Sequence, residues 1–297
     1  MTKIRSSDSS VIDDRRGSGG GFSTGGFGGG GFPIPIKAGG GLLGVIILLA
    51  TLILPRVLGS NTNGAAGIPQ TQQPSADAAD GACSSELEQI VCGASKDVQQ
   101  YWQNNMQTFF GTTYEPTKTV FFTDSTTTGC GQASSQTGPF YCPIDHLVYI
   151  DLGFMQALEQ ELVGKSTDLA EQYIIAHEYG HHIQNLVGIN DQVQQAQQND
   201  PGRANQYSVA MELQADCFAG MWVGDVASRG QLDSSAEVKE ALDAAAGVGD
   251  DRIQEKTQGR IDKEAWTHGS AEQRQTWFTR GYNSGNPNQC DTFSEVL

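Results

Sequence analysis

The 297-residue sequence predicts a helix-rich α+β domain with a small β-sheet, carried behind a glycine-rich segment and one apolar helix. Three observations lead there. Two stretches, 168–188 and 205–226, carry apolar residues at helical spacing. Two short runs, TKTVFFT at 117–123 and HLVYIDL at 146–152, have the β-branched and aromatic content of strands. The 37 glycines crowd near the N-terminus, while a hydrophobic content of 38% suits a folded remainder.

Residues 1–37 come first. From Gly17 to Gly41 they run into GSGGGFSTGGFGGGGFPIPIKAGGG, with Phe22, Phe27 and Phe32 five apart. So little side chain cannot build a packed core, and a flexible tail is expected. Ala38 to Leu54 then reads AGGGLLGVIILLATLIL, without a charge. As a helix it reaches about 25 Å, and Val57 and Leu58 extend it. A core helix sits oddly between a glycine tract and a polar linker. A cleaved signal peptide lacks both a short basic start and a clear cleavage site. The expectation is a transmembrane anchor at 38–58, followed by a solvated linker at 59–80. Lys3, Arg5, Arg15, Arg16 and Lys37 precede the anchor and only Arg56 follows closely. The positive-inside rule therefore predicts a cytoplasmic N-terminus and an extracytoplasmic domain at 81–297.

All six cysteines, Cys83, Cys92, Cys130, Cys142, Cys217 and Cys290, follow the apolar run. An even number on one side suits disulfides in an oxidising compartment, with buried thiols as the rival reading. Of fifteen connectivities the least entangled joins neighbours in sequence: 83 with 92, 130 with 142, 217 with 290. None has CxxC spacing, which argues against a cysteine-bound metal. The net charge is −16, and since the first 60 residues carry +3, the remainder carries −19. Such a domain repels nucleic acid and anionic lipid headgroups.

The most informative stretch is IIAHEYGHHIQ, Ile174–Gln184, which holds three of the five histidines. Asp168 and Glu171 stand in capping-box relation before it, and Gly188 is placed to end the helix. His177 and His181 are four apart, so their imidazoles leave one face one turn apart and can share a zinc ion. Glu178, beside the first ligand, is placed to act as general base on an activated water. A polar helical stripe is the bland alternative. Gly180 costs the helix about 1 kcal/mol, which points to a close approach at that position. His182 points off the ligand face and reads as a surface or supporting residue.

A catalytic zinc wants a third protein ligand. In NQYSVAMELQADCFAGMWVGDV, Asn205–Val226, Glu212 and Asp216 are four apart on a largely apolar helix. Two such acids need partners, because an unpaired buried carboxylate is costly. Zinc for Glu212, and a ring N–H of a ligating histidine for Asp216, would satisfy both. An exposed acid pair is the alternative. Between the two helices, INDQVQQAQQNDPGRANQ is expected to be a polar loop.

HEYGHH followed by ELQADCFAG resembles the bacterial neutral zinc metallopeptidases, the YpfJ-like proteins. The likeness extends to GPFYCPIDHLVYID at 138–151, VGDDRIQ at 248–254, THGSAEQRQTWFTRGY at 267–282, the final CDTF and the early DDRRG. It implies a zincin-like fold and a gluzincin-type zinc peptidase acting on peptide or protein substrates, with Glu212 as third ligand. His268, in the THGS turn before a helix capped by Ser270, is by analogy an oxyanion donor or else a structural histidine. Tyr179 and Tyr282 are weaker candidates. Other readings of the same residues are a non-catalytic zinc-stabilised binding module and a zinc amidase acting on cell-wall peptides.

Overall fold

In this computed structural model, residues 2–17, 81–158, 168–232 and 234–297 are described. They form one α+β assembly in which helices pack on a small sheet.

The first long helix, α1 (Glu86–Phe110), starts where Ser85 and Glu88 form a reciprocal capping box and ends at Gly111, whose φ is 70°. Strands β2 (Thr119–Phe122) and β6 (Leu147–Asp151) lie where the two β-branched runs predict them. The main sheet has the order β1-β2-β6-β5, with β1 (Ile12–Asp14) and β5 (Phe140–Cys142) at its two ends. Strand β2 runs parallel to both β1 and β6, whereas β5 pairs antiparallel with β6. A separate hairpin joins β3 (Ser125–Thr128) to β4 (Gly131–Ser134). Helix α2 (Leu152–Leu158) follows β6.

The centre of the domain is α3 (Asp168–Leu186) crossing α5 (Ala204–Ser228). Trp222, Phe218 and Leu213 of α5 and Tyr173, Ile175 and Ile183 of α3 are almost wholly buried. Each such side chain contributes about 1.5–3 kcal/mol by leaving water. Helices α6 (Ser235–Gly247), α7 (Asp250–Gln258) and α8 (Ala271–Ser284) close the other side, and a short α9 (Phe293–Val296) ends the chain. Disulfides join Cys83 to Cys92, Cys130 to Cys142 and Cys217 to Cys290, the least entangled pairing.

Several expectations change. Residues 189–199 form α4 (Ile189–Asn199), not a loop. Gly188, in the left-handed region at φ 77°, turns the chain after α3, and the glutamine-rich run that follows is helix-compatible. Asp168 is the first residue of α3, and its carboxylate pairs with Arg5. The largest change concerns the N-terminus. Residues 2–16 are not a free tail: Ile4 and Ile12 join the core and β1 completes the sheet. The expected anchor at 38–58, the glycine tract from Ser18 onward and the linker at 59–80 lie outside the described residues. Among the described residues no helix is long and apolar enough to cross a membrane. Docking of residues 2–16 is also at odds with placing them across a membrane from residues 81–297.

Candidate metal centre

The crossing of α3 and α5 builds the centre. A Cβ on Gly180 would lie 3.0 Å from the backbone of Ala215, so this glycine lets the two helices approach closely. That approach brings Glu212 to the two histidines. His177 Nε2 lies 3.2 Å from Glu212 Oε2, and His181 Nε2 lies 3.5 Å from Glu212 Oε1. One donor atom from each of the three residues falls within 4.8 Å of the other two. Ligands about 2.0–2.1 Å from a tetrahedral zinc are separated from one another by about 3.3–3.4 Å. The two separations, one to each oxygen of the carboxylate, lie near that value, and two imidazoles with a carboxylate are a donor set of the kind zinc takes.

Each imidazole is held by its other nitrogen. His177 Nδ1 lies 2.9 Å from Asp216 Oδ1, and His181 Nδ1 lies 2.8 Å from Gln184 Oε1. Both arrangements turn Nε2 toward Glu212, the orientation a ligating histidine needs. Asp216 is wholly buried and is gripped by Arg274, whose Nε and Nη2 donate at 2.7 and 2.9 Å, and by the hydroxyl of Tyr173. Gln184 in turn donates to the Met211 carbonyl and to Gln214 Oε1, and Gln214 donates to the Cys290 carbonyl.

The electrostatics favour a cation here. Burial alone would lower the His177 pKa, but Asp216 and Glu212 outweigh it and push it up to about 10. Burial would raise the Glu212 pKa, yet His181 and His177 hold it well below the usual carboxylate range. A field that favours a proton at this point also favours a metal ion.

Glu178 lines the cleft beside His177, His181, Glu212, His268 and Arg274. Burial pushes its carboxyl pKa up, partly offset by the neighbouring histidines. His268 is fixed by Asp250, whose Oδ1 lies 3.0 Å from Nδ1. The other oxygen of Asp250 accepts the backbone N–H groups of Thr267, His268 and Gly269. The Ser270–Gln273 capping box that starts α8 anchors the same turn. Across the cleft, Gly138, Pro139, Phe140 and Tyr141 bring the edge strand β5 alongside α3.

Other candidates lie elsewhere. His182 is buried between the Tyr141 hydroxyl and the Glu115 carbonyl, where burial drops its pKa to about 4. Tyr179 faces Thr119 in the interior, and neither it nor Tyr282 lines the cleft. Arg274, Gln184, Tyr173 and Asp250 support the centre without being singled out by sequence reasoning. Of these, Gln184 carries a usable signal, three residues beyond His181 on the same helix.

The family described as "Putative neutral zinc metallopeptidase" matches residues 1–293. The uncharacterized protein YpfJ of Escherichia coli (strain K12) is 40% identical over 298 residues, covering 98% of each chain. The uncharacterized protein Rv2575 of Mycobacterium tuberculosis (strain H37Rv) is 48% identical over 182 residues, covering 58% of this chain and 61% of that one. No solved structure matches.

Proposed function

Since the chain belongs to this neutral zinc metallopeptidase family, we propose that it is a zinc-dependent peptidase in which Glu178 moves the proton of the attacking water. The observation that carries this reading is the convergence of two histidines and Glu212, with donor atoms within 4.8 Å of one another and Glu178 lining the same cleft. When bound, zinc supplies Lewis acidity, lowering the pKa of water and polarising the scissile carbonyl. His177, His181 and Glu212 hold the ion, with Asp216 and Gln184 fixing the two imidazoles.

Glu178 then accepts a proton from the water as it attacks, and passes it to the leaving amine. His268 has Nδ1 committed to Asp250, leaving Nε2 to stabilise the oxyanion that develops on the carbonyl. An extended peptide can pair with the edge of β5, which lies along the cleft. Three disulfides favour an extracytoplasmic site of action, and the apolar run at 38–54 favours attachment to a membrane.

The test uses the purified protein with an unbiased peptide library that includes cell-wall peptides. The wild type is expected to bind one zinc and cleave linear peptide bonds. Glu178→Gln is expected to keep the zinc and lose cleavage. Undiminished cleavage by Glu178→Gln rejects the general-base role, and cleavage confined to wall peptides moves the reading to an amidase.

A further inference from the structure

Residues 2–16 make contacts of the kind found inside a domain. Strand β1 pairs with β2 in register, Ile12 opposite Thr119 and Asp14 opposite Phe121. Arg5 donates to Asp168 at 2.7 Å and to Glu86 at 2.9 Å, which ties together the starts of α3 and α1. Thr2 donates to Gln172 Oε1, and Gln172 Nε2 donates back to the Ile4 carbonyl at 2.7 Å. Arg16 pairs with Asp14 and Glu88 while its guanidinium sits 5.0 Å over the Phe121 ring. The fit is close enough that a Cβ on Gly93 of α1 would lie 2.7 Å from the Arg5 Cα.

We infer that this N-terminal strap is an intrinsic part of the metal-binding domain, and that residues 2–16 and 81–297 therefore lie on the same side of any membrane the protein meets. A chain crossing a bilayer once at 38–58 would separate the strap from its seat. The basic residues that suggest a cytoplasmic N-terminus have another use. Arg5 and Arg16 pair with acids of the domain, and Arg15 pairs with Asp13 beside β1. They complement a domain that carries −17 over residues 81–297, so their presence does not require a cytoplasmic location. The strap also bears on the metal helix, because Asp168 and Gln172 lie within three turns before His177. The inference does not depend on peptidase activity.

Two experiments on the full chain decide it. Single cysteines replace the exposed Ser7 and, in a second variant, the exposed Ser235, and intact cells are treated with a membrane-impermeant maleimide. Labelling of both, or protection of both until lysis, is the expected result. Labelling of one alone overturns the inference. The second experiment is the melting temperature of Gly93→Ala. In an undocked α1, alanine favours the helix over glycine and raises the melting temperature. Against the docked strap the added methyl collides with Arg5, so a fall is expected. A rise contradicts docking.

Discussion

The two histidines of the candidate centre sit one helical turn apart, yet they are held in opposite ways. His177 is backed by a charged cluster of Asp216, Arg274 and Tyr173, all buried. His181 is backed by neutral amides, Gln184 and then Gln214. The two supports locate where the centre is brittle. Removing one member of a buried ion pair strands a charge, whereas removing a neutral amide costs a hydrogen bond.

Breaking the charged side is expected to have the largest effect. Arg274→Met leaves Asp216 buried without its guanidinium and should destabilise the protein by about 3–5 kcal/mol, read by urea unfolding. The double variant Arg274→Met with Asp216→Leu should recover part of that loss, and a loss equal to the sum of the two single effects would count against a coupled pair. On the neutral side, Gln184→Leu should cost about 1–3 kcal/mol, and zinc affinity should fall about 10–100-fold in a competitive chelator titration. If Gln184→Leu proves as damaging as Arg274→Met, the contrast between the two sides fails.

Away from the centre, Asp250→Asn weakens the hold on His268 without touching His177, His181 or Glu212. It should lower kcat about 10–100-fold with zinc content unchanged, and loss of zinc would instead place Asp250 among the metal supports. A further effect is a pH dependence. Burial would raise the pKa of Glu88, but the Ser85 backbone N–H, Arg16 and Ser84 outweigh it and bring it down to about 2 from 4.5. The stability this adds is complete above pH 4.5 and drains away as pH falls toward 2. Glu88→Gln should flatten that part of the acid-stability curve.

The sequence made parts of this legible for physical reasons. HExxH on a helix fixes the separation of its imidazoles through 3.6-residue geometry, so His177 and His181 could be paired before any coordinates. The two strands announced themselves by β-branched and aromatic content, and each cysteine lies closest in sequence to its disulfide partner among those left to pair. What stayed hidden depends on distant residues. Strand β1 is three residues long and pairs with Thr119–Phe121, more than a hundred positions away, so no alternation could reveal it. Arg274 reads as one cation on a polar helix until α8 lays it against Asp216. Helix α4 was obscured because a glutamine-rich run looks solvated whether helical or not, and only Val193 turns fully inward.

The most direct measurement is a crystal structure of the zinc-loaded protein with anomalous data at the zinc edge. One strong peak is expected about 2.0–2.2 Å from His177 Nε2, His181 Nε2 and a Glu212 oxygen. A zinc bound elsewhere, or one held by the two histidines with Glu212 turned away, would contradict the proposed centre.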